Sequence, residues 1–260
     1  MSSLSRSILL LSFIANAFSC ESPKTEIASI AAKEISPEFK KVLDAHGDWS
    51  QWLNAEAFSY ALVHETNLTQ ESHFINLKSR KVRISSGFFE MGFDGEQTWI
   101  SPNREAYSGK SIKFYHNLYF YFFSIPFVLT DPGVTVEKVE DKMLNGKAYP
   151  TLKAKFDSNV GDSPEDQYFL LINPETNQLE YLLYTVTYFG NTAPSFNALK
   201  YEDYRDNNGI FFPRILTGYV YENDSTKAIR YNLSFGDVLL LPDEFDESLF
   251  EKPKTGIYAD

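Results

Sequence analysis

The side chains able to do chemistry are four histidines, one cysteine and a scatter of carboxylates. His46, His64, His73 and His116 are not paired at a spacing that a metal would use. His64 and His73 face each other only if the chain between them forms a hairpin, which supplies two ligands at best. His46 falls on the apolar stripe of a short helix, where it reads as structural. No G-x-S-x-G elbow, P-loop or dinucleotide fingerprint occurs. Acidic neighbours such as Glu202-Asp203 and Asp243-Glu244 sit beside strand ends or in the tail, where solvated turns put them. Carboxylate-pair hydrolysis depends on a separation in space that sequence does not fix. The expectation is a protein that is not an enzyme and holds no cofactor and no metal.

The elements that must position any other activity are set by size and charge first. The chain has 260 residues, 43% of them hydrophobic, and 22 Phe, 16 Tyr and 3 Trp. Its area scaling allows burial of roughly three-quarters of the unfolded surface, so a core forms without disulfides. Large rings suit a pleated, half-buried surface or a cavity lining. A net charge of −11, with acids spread along the chain, argues against nucleic acid and against electrostatic docking on anionic lipid.

The lone cysteine has a telling position. Arg6 is followed by an uncharged, largely apolar run at 8–15, and the small residues Ala17 and Ser19 flank Phe18 just before Cys20. These are the parts of a signal peptide, with a run too short to span a bilayer. Ser19-Cys20 in this setting resembles the lipobox of bacterial lipoproteins, with Ala17 where Leu is usual and Phe18 where a smaller residue is usual. The resemblance implies lipidation of Cys20, a membrane partner through that anchor, and a Gram-negative cell envelope, outer membrane foremost. Residues 1–19 are then the signal peptide, 20–36 a tether, and 37–260 a single β-rich domain. In a lipoprotein the sequons at Asn67, Asn223 and Asn232 are chance; an ordinary secreted protein with a free thiol is the alternative.

The domain opens with a helix: Ser36 as N-cap, Pro37 at the first position, Gly47 as stop, and Phe39, Val42, Leu43 and His46 on one stripe. Trp49 and Trp52 pin it to a sheet. Period-two alternation then predicts about five antiparallel strands over 57–101, with Asp94-Gly95 as a tight turn. A helical interruption at about 110–129 separates these from a second meander starting at Val134. Asn145-Gly146 is its strongest hairpin signal, and turns follow near 173–178 and 206–209. Such strands predict one wet and one dry face. The fold class is mainly β with a few helices, a curved antiparallel meander or open half-barrel with helices covering the concave face.

Residues 118–129, Leu-Tyr-Phe-Tyr-Phe-Phe-Ser-Ile-Pro-Phe-Val-Leu, carry no charge and are apolar on every side. A helix of this kind is buried, touches lipid, or covers an apolar guest, and twelve residues cannot span a membrane. Three readings stand: a core helix filling the concave side, a lid over a cavity, or direct contact with a membrane. In the second, Leu118, Tyr119, Phe122, Phe123 and Phe127 contact the guest. Pro126 ends or kinks the helix.

Ala45-His46-Gly47 with Trp49 and Trp52, Phe93-Asp94-Gly95 with Trp99, and Pro126-Phe127 before Asp131-Pro132-Gly133 are similar to an uncharacterised lipoprotein family of the LolA/LolB-like (lipoprotein-localisation) superfamily. The likeness covers 37–255. It implies an unclosed half-barrel with helices capping an apolar concave face, where acyl chains of lipoproteins bind. The function expected is binding or carrying an apolar lipid ligand or an acylated protein. The alternatives are a structural envelope protein with a protein partner and, less favoured, a carboxylate-based hydrolase.

Overall fold

A computed structural model describes residues 35–158, 161, 163, 165–190 and 195–259. The expected signal peptide, Cys20 and most of the tether lie outside them. Helix α1 (Pro37–Ala45) starts where Ser36 Oγ accepts from the Phe39 N–H, and a short helix α2 (Ser50–Asn54) follows. The first meander is β1 (Ala57–His64), β2 (Thr69–Asn76), β3 (Val82–Ser86), β4 (Glu90–Phe93) and β5 (Thr98–Ser101). Helix α3 (Ile112–Ser124) and a 3-10 turn (Phe127–Thr130) come next. The second meander is β6 (Val134–Leu144), β7 (Lys147–Phe156), β8 (Tyr168–Ile172), β9 (Leu179–Tyr184), β10 (Asn197–Asn207), β11 (Ile210–Glu222) and β12 (Ser225–Leu241). A 3-10 turn (Glu247–Phe250) and β13 (Ile257–Tyr258) end the chain.

All described strands join one open antiparallel sheet, ordered β13-β5-β4-β3-β2-β1-β12-β11-β10-β9-β8-β7-β6. The fold class is the expected one: mainly β, unclosed, with helices. The two meanders meet in the middle, where β1 pairs with β12 (Leu62 opposite Phe235). The connection from β5 to β6 therefore runs from near one edge of the sheet to the other, and α3 is its central part. A flat sheet of this size would be roughly 55–60 Å wide at about 4.8 Å per strand, against a helix about 10–12 Å across. Yet α3 packs on β3, β4 and β5 and also on β11, so the sheet wraps around it. The edge strand β6 carries Glu137, Lys138, Glu140, Asp141 and Lys142, a row of charges that discourages pairing with another chain.

The prediction of one wet face is corrected by the structure. The inner face holds the main core, but Leu144, Tyr149, Leu171, Tyr181, Leu183 and Ala198 form a second buried cluster on the outer face. The cause is the end of the β6–β7 hairpin. Beyond a bulge between Val139 and Lys142, it reaches the β11–β12 turn, five strands away in the sheet. There the Asn145 N–H donates to Asp224 O at 2.9 Å and Asn145 Oδ1 accepts from the Thr226 N–H at 2.9 Å. At the other end of the sheet, Trp99 Nε1–H donates to Phe250 O at 2.9 Å, so the C-terminal segment covers the outer face of the first meander.

Gly47 bridges Ile210 with φ +92°, and a Cβ there would stand 2.2 Å from Gly209 O. Gly47→Ala is expected to lower stability by about 2 kcal/mol or more, the left-handed backbone alone costing roughly 1–2. Urea denaturation followed by tryptophan fluorescence checks this; an unchanged midpoint would contradict the bridge.

Candidate functional site

Helix α3 begins where Ser111 Oγ accepts from the Phe114 N–H at 3.0 Å. It stops at Ser124 because Ile125 precedes Pro126 and is driven to extended backbone. Ile112, Tyr115, Tyr119, Phe120 and Phe123 recur at helical spacing and face the sheet's core. Phe123 stacks on Phe235 of β12 with ring centres 4.0 Å apart, and packs on Phe58 and Phe212. Phe127 lies between Trp52 and Phe212, also in the core.

The opposite stripe of α3 faces a cleft of about 250 Å³. Leu118, Tyr121, Phe122 and Ile125 form one wall, and Val134 of β6, Phe156 of β7 and Tyr168 of β8 the other. Val128 and Leu129 close one end; Lys113, Asn117 and Tyr188 stand toward the helix N-terminus. Of the five side chains expected to touch a guest, Leu118 and Phe122 line this cleft. Tyr119, Phe123 and Phe127 sit among the core residues on the sheet side, and Phe122 is buried in the same core, packed on Tyr184 of β9 with ring centres 4.7 Å apart. Two carboxylates reach the cleft, each held by the protein. Asp131 pairs with Arg80, which also lies over the Phe120 ring, and Asp166 accepts from Thr185 Oγ1 at 3.1 Å and the Thr187 N–H at 2.8 Å.

Sequence reasoning missed Glu71. On the inner face of β2 it is buried, and the histidines of the β1–β2 hairpin converge on it instead of on each other. His73 Nε2–H donates to Glu71 Oε2 at 2.9 Å, and His64 Nε2 lies 3.4 Å from Oε1. Tyr115 of α3 donates to Oε1 at 2.7 Å, and Tyr60 OH meets His73 Nδ1 at 3.1 Å. The signal was available: alternation puts Glu71, His73 and Ile75 on one face. Burial alone would push the Glu71 carboxyl up, but the hydrogen bonds from His64 and His73, the field of His73 and the Tyr115 hydroxyl outweigh it and hold it at about 2. The same carboxylate, after burial, pushes Tyr115 and Tyr119 up. The network ties the N-terminal half of α3 to the sheet.

His46 is fully buried, donates through Nδ1 to Val42 O at 2.7 Å and is pushed down to about 4 by burial, so it is neutral. His116 packs on Phe93. Among the described residues, no group of three or more His, Cys, Asp or Glu is placed to hold a metal, and no helix is long and apolar enough to cross a membrane.

The Glu71 network gives a pH dependence of known sign. A carboxyl lowered from its ordinary 4.5 to about 2 contributes stability that is fully present above about 4.5 and is lost as pH falls through 2. That difference corresponds to about 3 kcal/mol. Glu71→Gln is expected to be less stable at neutral pH and to lose less than the parent between pH ~5 and ~2. Parallel urea midpoints for the two proteins across that window would contradict the assignment.

Residues 96–224 match DUF6503, a family of unknown function. No curated protein sequence matches the chain. Among solved structures, the fold is similar to a LolA superfamily protein from Nitrosomonas europaea, with 9% identity and a TM-score of 0.46 over 79% of this chain and 98% of that one. It is also similar to a DUF1329 family protein from Desulfovibrio piger, with 10% identity and a TM-score of 0.49 over 83% of this chain and 98% of that one. The architecture itself, an unclosed antiparallel sheet with a helix across its apolar inner face, is the one that the LolA/LolB-like resemblance implied.

Proposed function

We propose that this chain is a cell-envelope lipoprotein, anchored through Cys20, that binds or carries an apolar guest such as an acyl chain between α3 and strands β6–β8. The observation that carries the reading is the cleft on the far side of α3, walled by Leu118, Tyr121, Phe122, Ile125, Val134 and Phe156. An apolar hollow of this kind, with a few polar groups at its rim, is the common form of a small-molecule site. Each methylene moved from water into it gains about 0.8 kcal/mol, less the cost of association. The anchor would keep such a binder at the membrane that supplies its guest.

Native mass spectrometry of detergent-free protein and uptake of a fluorescent fatty acid test the reading. Leu118→Asp puts a charge into the cleft and is expected to reduce uptake at least about tenfold, the cost of burying an unpaired carboxylate exceeding 1.4 kcal/mol. Phe123→Ala empties a core position instead and should cost about 3–5 kcal/mol of stability. Neither co-purifying lipid nor uptake in the parent protein would refute the reading. Cys20→Ala should move the protein from membranes to the soluble fraction; retention in membranes would refute the anchor.

A further inference from the structure

Helix α3 ends against a proline, which leaves a carbonyl inside the fold without its helical donor. The N–H that would bond Phe122 O belongs to residue 126, and Pro126 has none. A buried carbonyl in this position needs a donor from elsewhere. Tyr201 of β10 supplies it. Its hydroxyl donates to Phe122 O at 2.8 Å, and both residues are buried. Burial, followed by the fields of neighbouring tyrosines, pushes that hydroxyl far up, so it keeps its proton and remains a donor. By contrast, Phe120 O accepts from Ser124 Oγ at 2.6 Å, a donor on the helix itself.

The turn held in this way forms part of the cleft. Phe122 and Ile125 line it at the end of the helix, and Val128 and Leu129 line it just beyond. Asp131, after the 3-10 turn, pairs with Arg80, so the segment from Phe122 to Asp131 is pinned at both of its ends. Tyr115 already ties the N-terminal half of α3 to Glu71 of β2, in the first meander. The Tyr201 bond ties the C-terminal end to the second.

We infer that Tyr201 is a positioning residue for guest binding: its hydroxyl, by holding Phe122 O, fixes the last turn of α3 and with it the wall made by Phe122, Ile125, Val128 and Leu129. This rests on the guest-binding reading above and deepens it. A wall that is already ordered takes nothing from the affinity of a guest, whereas one that frays must be ordered when the guest arrives.

Tyr201→Phe keeps the ring and removes only the donor. Tyr204→Phe is its control on the same strand, because the Tyr204 hydroxyl donates to Leu179 O at 2.8 Å and not to α3. Amide hydrogen exchange read by mass spectrometry on peptides covering 118–131 is the first measurement. Tyr201→Phe is expected to speed exchange there about five- to a hundredfold, the equivalent of one orphaned buried acceptor, and to do so beyond any change in the rest of the sheet. Tyr204→Phe should leave that segment in step with the rest. Fluorescent fatty acid titration of the folded proteins is the second. Tyr201→Phe should weaken uptake about threefold or more, and Tyr204→Phe should stay within about twofold of the parent. Exchange that quickens evenly over the sheet, exchange that does not quicken, or quicker local exchange with unchanged affinity would each overturn the inference while leaving an apolar site standing. A parent protein that takes up no fatty acid would remove the guest-binding reading, and this inference with it, whatever the exchange shows.

Discussion

The order of strands imposes the constraint on which the rest depends. Because β1 pairs with β12, the two meanders are sewn together at their centre, and the chain between β5 and β6 must travel from one side of the sheet to the other. It does so across a face that is already apolar. A connection in that position cannot be an ordinary polar loop, since buried backbone groups need partners. A helix satisfies its own backbone, and its side chains must then be apolar wherever they meet the sheet. Phe120 and Phe123, buried among Phe58, Phe212 and Phe235, are the direct consequence.

That constraint accounts for one stripe of α3 and leaves the other to be explained. Leu118, Tyr121 and Phe122 would be no more needed for packing on β3–β5 than lysines on a surface helix would be. They face the inner side of β6–β8, where the wrapped sheet offers Val134, Phe156 and Tyr168 and buries Phe122 against Tyr184, leaving Leu118 and Tyr121 partly uncovered. The helix is therefore core on one side and cleft wall on the other.

Much of this was legible. Strong turn chemistry placed the β6–β7 hairpin at Asn145-Gly146 and the β10–β11 turn at 206–209, and period two found the five strands of the first meander. Ser36-Pro37 gave α1, and Pro126 gave the end of α3. What escaped depended on partners distant in sequence. The central β1–β12 pairing leaves no local trace, because any two alternating strands look alike. Tyr149 and Thr151 alternate with the inward-facing Leu152 and Ala154, and only the fold-over of the β6–β7 hairpin onto the outer side buries them. Glu71 drew no reading from the sequence; its meaning came from His64, His73 and Tyr115, which hairpin geometry and the crossing helix bring to it. Of the expected contact residues, helical periodicity would have separated Leu118 and Phe122 from Tyr119 and Phe123 had the direction of the sheet been known.

A hollow between greasy walls tends to collapse, because each lining atom without a neighbour forfeits dispersion energy. Here the two walls are fixed independently. The helix is set by the stacked rings of its inner stripe and by the Glu71 network at its N-terminal half, neither of which involves β6–β8. The opposite wall is set by the curl of the second meander, which the bonds between Asn145 and the β11–β12 turn hold from the outer side. Closing the gap would require the rings of α3 to leave Phe235 or the hairpin to leave Thr226. Each is a loss of contacts already satisfied, which keeps the two walls apart.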